Sequence, residues 1–408
     1  MAARLECVVV TRTGSGTVGL ARLSLTRGLI SAATAAIAIV WRYAAFVFSN
    51  SAFLTGLLDA AYTLAFAAAS YWLTTRRAQL SARTSIVASG LVSAAVTVVT
   101  ALLTPLQVYW WLLLPAVVIG VVMGVNYPAW YSQLRRGRDS NDLHGQIGPY
   151  EAFRVVAVLA GTAGSGLVAH LLGLESTTLL IAVVFAAGGA LALTFPQSDA
   201  EAPPDREQTS NPAYHDPEVH HRVRLLFGLL AALQLMLAPI VAVTPVLAVE
   251  AIDGGIAHVG VLFALFGAGS VLQILTTRAA ALGVGVRVLV SAPLTVMLTC
   301  AVLASVRDTM VTAGLLMISF GFGVASIGTL INAEIQSSVH ESVRDQRVST
   351  LALIFSIPFA VGSGLWGLAA DFLAVPTIAI ITTTLTAAIA TLLLVSWRRV
   401  SGRWSKSR

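Results

Sequence analysis

Arg42 and Asp59 stand inside "AIVWRYAAFVFSNSAFLTGLLDAAYTL", residues 38 to 64, a stretch that is otherwise apolar. Opposite charges in such surroundings can pair with one another, carry a proton or hold a charged solute. An isolated charge at a bilayer centre costs about 2.5–3.5 kcal/mol on insertion scales, so a charge kept there needs a partner or a task. A polar break at Asn50 and Ser51 separates two apolar runs. Arg42 lies eight residues before the break and Asp59 eight after it. At about 1.5 Å per residue, both sit roughly 13 Å from the turn, at one depth. Ser31, Thr34, Ala38, Arg42, Ala45 and Ser49 follow three- and four-residue steps, as do Thr55, Asp59, Tyr62 or Thr63, Phe66 and Ser70. Each charge therefore falls on a small, polar helix face suited to a bundle interior. Three readings stand: Arg42 snorkels outward along its stem, the two form a permanent structural salt bridge, or they form a pair that a solute or a proton opens.

Other side chains could share such chemistry. Asn126, Tyr127 and Trp130 belong to "NYPAW", which interrupts a Leu/Val pattern and carries Pro128, a residue that kinks helices. An amide among aromatic rings suits a flat or amphipathic ligand; Trp and Tyr also anchor helices at membrane interfaces. Gln234 falls in mid-run, where a buried amide binds a ligand or bonds to a neighbouring helix. Glu151 and Arg154 are three apart, a spacing for a local ion pair. Glu334 carries a proton if buried, because desolvation favours the neutral carboxyl, and is a wet interfacial residue if not.

The elements that must position these groups are apolar helices. Of 408 residues, 57% are hydrophobic and 11% charged, against about 25% charged in soluble domains. Apolar runs of about 20 residues suffice to cross a bilayer core. They recur at 28–48, 52–73, 85–103, 109–131, 150–172, 176–195, 224–247, 257–277, 286–305, 310–333, 348–369 and 375–397. The pattern predicts an all-α polytopic membrane protein with twelve transmembrane helices, and the runs lack the alternation of a membrane β-barrel. The lipid bilayer is thus the first partner.

Net charge is +6 and the cations mark loops, with no basic surface for nucleic acid. Arg76, Arg77 and Arg83, then Arg135, Arg136 and Arg138, then Arg278 and Arg287, then Arg344 and Arg347 occupy alternate breaks. The intervening breaks hold almost no cations, Arg307 excepted. The positive-inside rule then predicts both termini on the cytoplasmic side of a plasma or inner membrane. Cys7 and Cys300 fall on the wrong sides to pair, so no disulfide is expected.

Five segments follow: a cytoplasmic tail at 1–27, a six-helix bundle at 28–195, a Pro- and acid-rich linker at 196–223, a second bundle at 224–397 and a basic tail at 398–408. His215, His220 and His221 in the linker region read as solvated residues, not as a metal site. The halves echo each other. "LTTR" recurs at 73–76 and 275–278, and "GSGL" at 164–167 and 362–365, each pair at matching places in its half. Such repetition supports two pseudo-symmetric six-helix bundles.

Twelve spans in a 6+6 duplication with a central acidic linker resemble the major facilitator superfamily. "FLTGLLDAAYTLAFAAASYWLTTRR" and "GVVMGVNYPAWYSQLRR" are similar to the second and fourth helices of its drug and siderophore exporters. The family's loop pattern G-x-L-x-D-R-x-G-R-R is kept at Leu73 and Arg76, but Tyr71, Thr75 and Ala78 replace its Gly, Asp and Gly. The fifth-helix antiporter segment keeps Gly161, Gly164 and Gly166, with Ser165 where a Pro is expected. The resemblance implies proton-coupled export of a small amphipathic compound by alternating access. A small-molecule substrate and a proton or other ion are then the partners. It makes Arg42, Asn126, Tyr127, Trp130 and Gln234 candidates for a substrate cavity. Arg42, Asp59, Glu151, Arg154 and Glu334 become candidates for coupling or ion pairing, and Arg76 and Arg278 for gating loops. Uptake of a nutrient or metabolite is a second form, and a non-transporting sensor or scaffold, suited to the Asp missing at Thr75, a third. No Walker A loop, H-E-x-x-H or G-x-S-x-G motif is present. No enzyme activity and no cofactor are expected, and energy should come from a gradient.

Overall fold

The structure, a computed structural model, describes residues 15–76, 81–135, 140–195, 217–252, 254–281, 286–306, 309–337 and 344–404. The described residues are almost wholly helical. In the first half they form α1 (Ser15–Ser49), α2 (Ala52–Arg76), α3 (Ala82–Leu103), α4 (Trp110–Arg135) and α5 (Ser140–Ala192). In the second they form α6 (Pro217–Val246), α7 (Ile256–Val271), α8 (Gln273–Ala281), α9 (Val286–Val306), α10 (Met310–Ser337), α11 (Arg344–Ala370) and α12 (Val375–Trp404).

α5 is two spans in one: Gly173, at φ 82°, breaks it in a conformation that favours glycine. Its apolar part, Phe153–Ala192, has 40 residues, twice what a bilayer core needs. α7 and α8 together make one crossing, interrupted at Leu272. Among the described residues seven further helices are long and apolar enough to span, and Ser291–Val302 and Val375–Ile389 are shorter apolar stretches. The protein is thus an all-α polytopic membrane protein whose twelve crossings form two six-helix bundles. Several helices outrun the apolar runs that announce them. α1 begins at Ser15, inside the expected tail of 1–27, α6 begins at Pro217, inside the expected linker, and α12 reaches Trp404. A helix satisfies its own backbone and so continues past the bilayer boundary into water. Cys7 and His215 lie outside the described residues, as do the side chains of His220 and His221.

Each half has its own core. One gathers Ile37, Trp41, Ile86, Ile119, Tyr150 and Phe185; the other gathers Leu230, Leu233, Leu262, Met297 and Ile327. Large apolar side chains such as Leu102, Leu114, Leu171 and Val183 point outward and are more than half exposed. On a soluble protein these would be a liability; here they meet lipid tails.

Prolines inside the helices free backbone carbonyls, and other helices take them up. Pro128 has no N–H for the Gly124 carbonyl four residues earlier, and the Ser70 hydroxyl of α2 donates to it at 2.9 Å. Pro239 likewise frees the Leu235 carbonyl, which accepts from the Trp366 indole of α11 at 3.1 Å. The two repairs tie α4 to α2 in one half and α6 to α11 in the other.

The halves meet along α2–α11 and along the first leg of α5 with α7. Glycines allow the contact at the end that holds the α1–α2 turn. A Cβ on Gly166 of α5 would stand 2.8 Å from the Gly260 Cα of α7. One on Gly367 of α11 would stand 2.5 Å from the Ala52 carbonyl of α2. Gly56 packs against the Ser363 backbone in the same seam. Asp371, just past α11, accepts from the backbone N–H of Ala52 at 2.7 Å and from the Ser51 hydroxyl at 2.8 Å. It caps the N-terminus of α2 from the opposite half.

Candidate functional site

A cavity of about 680 Å³ lies between the halves. Its lining runs from Arg42 and Leu58 down α1 and α2 to Arg27, Trp130 and Arg154, towards the end of the bundle where α1 begins and α12 ends. The close α2–α11 and α5–α7 packing closes off the other end.

Arg42 and Asp59 meet near the closed end. The Arg42 Nε donates to Oδ1 at 3.0 Å and to Oδ2 at 2.9 Å, and Nη2 lies 2.9 Å from Oδ1. The side chains are 15% and 9% exposed, so water screens this pair poorly. The guanidinium carbon also lies 4.9 Å from the centre of the Phe263 ring. Phe263 belongs to α7, so a cation held by a carboxylate of its own half faces an aromatic ring of the other.

α4 supplies Asn126, Tyr127 and Trp130 to the same cavity. Gly120 and Gly124 let α4 lie directly against α2 at Tyr62 and Phe66, which turns the "NYPAW" face inward. The Tyr127 ring packs edge-on against Phe66 with centroids 5.7 Å apart. Trp130 is 5% exposed and is an inward residue here, not an interfacial anchor. The carbon at the centre of the Arg27 guanidinium lies 6.0 Å from the centre of the Trp130 ring and 4.6 Å from that of Tyr150. Arg154 also lines the cavity.

Gln234 is buried in α6 but outside the cavity lining, one turn before Leu237, which does line it. Arg278 is exposed in the last turn of α8. The side chains of Arg76, Glu151 and Glu334 lie outside the described residues. Sequence reasoning missed Arg27, assigned to the tail, and Trp41, Phe263, Phe266 and Phe359, which read as ordinary apolar residues. Arg27 had a signal: it sits four residues before Ser31, on the small and polar stripe of α1. The rings had none, because only tertiary packing turns them inward. Among the described residues, no group of three His, Cys, Asp or Glu side chains converges on a metal-sized site.

The arrangement can enclose a small molecule with an aromatic or aliphatic body, and it sets one buried ion pair against that molecule's path. No curated protein sequence matches the chain. Among solved structures, a point mutant of the nucleoside transporter NupG aligns over 92% of this chain and 99% of its own, at 14% identity and a TM-score of 0.72. A bacterial homolog of the human lysosomal transporter Spinster, inward-facing and occupied, aligns over 95% of this chain and 98% of its own, at 16% identity and a TM-score of 0.71. The inward-facing, unoccupied form of that homolog gives 14% and 0.70. At such identities the likeness carries the fold alone. The Major Facilitator Superfamily model matches residues 23–348. The chain therefore belongs to the Major Facilitator Superfamily, whose members are multi-pass membrane transporters of small molecules, not enzymes.

Proposed function

We propose that the protein is a secondary active transporter that exports a small amphipathic compound, a drug or a natural product, in exchange for protons. The observation that carries this reading is the Arg42–Asp59 pair, buried in a cavity to which both halves contribute and facing Phe263 across the seam. With both termini in the cytoplasm, as the distribution of arginines predicts, the cavity faces the cytoplasm and loads from there. A proton competes with Arg42 for the Asp59 carboxylate, and an anionic or strongly polar group on the solute competes with that carboxylate for Arg42. Breaking a buried pair costs about 3–5 kcal/mol when one charge is left alone. That cost is enough to link proton or solute binding to the rocking of the halves. The lining is mostly apolar and aromatic with few polar groups, which favours a compound with an apolar body.

The test is accumulation of cationic, neutral and anionic amphiphiles in an efflux-deficient host, with and without the protein, before and after collapse of the proton gradient. Lower accumulation that disappears on collapse, and that Asp59→Asn abolishes, is the expected result. Export that Asp59→Asn leaves intact refutes the coupling role. Raised accumulation of any compound shows uptake and refutes the direction.

A further inference from the structure

Asn126 lines the cavity and is 1% exposed, yet neither its amide nitrogen nor its amide oxygen has a hydrogen-bond partner. An unpaired buried polar atom costs about 1–3 kcal/mol, and this side chain carries two. Its surroundings do pair other polar groups: the Gly124 carbonyl, two residues earlier, accepts from Ser70. The packing of α4 does not call for an amide, since a leucine of similar volume would avoid the cost. An amide offers a donor and an acceptor side by side, and a single group satisfies both together when it presents the same two functions in reverse order. The adjacent Tyr127 ring, held edge-on against Phe66, supplies a flat apolar wall beside it.

We propose that Asn126 is a specificity-determining residue that reads an edge of the solute bearing a hydrogen-bond donor and acceptor side by side. The substrate class is then a planar lactam, imide or carboxamide. The proposal rests on the transporter reading and narrows it. A site built to pair such an edge rejects an analogue that lacks it, because its own polar atoms then stay buried and unpaired.

Isothermal titration calorimetry on the purified full-length protein tests this with two matched pairs, quinolin-2-one with N-methylquinolin-2-one and phthalimide with N-methylphthalimide. Methylation blocks the donor and leaves the ring intact. The expected result is binding of at least one N–H compound about tenfold or more tighter than its N-methyl partner, roughly the value of one to two net hydrogen bonds. Asn126→Leu should bring that ratio close to one, with the N–H compound losing its advantage over its N-methyl partner. Asn126→Ser, which fills less volume, serves if the leucine variant does not fold. Equal affinities within both pairs, no binding of any of the four compounds, or a variant that weakens both members of a pair alike would each overturn the proposal. The proton-dependent accumulation assay tests the transporter reading without these compounds, so the two can fail separately.

Discussion

Asp371→Ala should shift the protein toward a state open at the α1–α2 turn end. In the structure that end is closed, and Asp371 holds it by accepting from the Ala52 N–H at 2.7 Å and the Ser51 hydroxyl at 2.8 Å across the seam between the halves. A third contact, from the Phe53 N–H, is longer at 3.4 Å and contributes little. Removing an N-cap side chain costs about 1 kcal/mol, and the hydroxyl contact adds a few tenths in this exposed position. About 1.5 kcal/mol is therefore lost from the closed state, which raises the population of the open state roughly tenfold. Asparagine caps nearly as well as aspartate, so Asp371→Asn should shift the balance far less. Spin labels at the exposed Leu106 and Phe372, one in each half at the turn end, report the separation in a background where Cys7 and Cys300 are replaced. The alanine variant should show a longer-distance population that is minor in the parent. An unchanged distribution, or an equal shift in Asp371→Asn, would refute the capping argument.

Ser70→Ala should lower the melting temperature in detergent, because the Gly124 carbonyl freed by Pro128 then loses its partner at a cost of about 1–3 kcal/mol. Trp366→Phe should do the same at the Leu235 carbonyl, and unchanged melting in both variants would sink the repair mechanism. Gly260→Leu places a side chain where even a Cβ would stand 2.8 Å from Gly166, so the same spin-label pair should report an opened turn end, and a parent-like distance would contradict this. Arg42→Gln alone strands Asp59 and should cost about 3–5 kcal/mol. Adding Asp59→Asn should restore thermal stability without restoring flux, whereas recovery of both would make the pair purely structural.

What could be read from the sequence was whatever follows from counting along one helix or across one short turn. Arg42 and Asp59 reach a common depth because the break at Asn50 and Ser51 is so short, and Asn50, at φ 51°, sits in the left-handed region that asparagine tolerates. The inward face of α4 was visible because Asn126 and Pro128 interrupt an apolar pattern. Contacts between the halves were not visible. Phe263 is one of two phenylalanines in an apolar run, and its place under Arg42 depends on how α7 lies against the first half. Asp371 caps a helix end 320 residues away, a pairing to which no local pattern points. Gln234 shows the opposite limit, since a polar residue in mid-span suggested the cavity while its helix turns it elsewhere.

The division of labour between the halves bears on how one binding event can move the whole molecule. Among the residues lining the cavity, every charged group comes from the first half, while the second contributes Leu237, Phe263, Phe266, Gly267, Ser270 and Phe359. A rigid second half can therefore rock over the first without dragging a charge through lipid. The electrostatic link across the cavity is Arg42 on Phe263, worth about 0.5–2 kcal/mol. The Asp371 cap at the closed end is of the same size. Two weak latches hold the closed end, and under the proposed function a solute that draws Arg42 away from Phe263 releases one of them. Coupling free energies of about 1–3 kcal/mol suffice to change affinities from several-fold to about a hundredfold. Stronger latches would trap one state; at these strengths the solute itself can decide which state prevails.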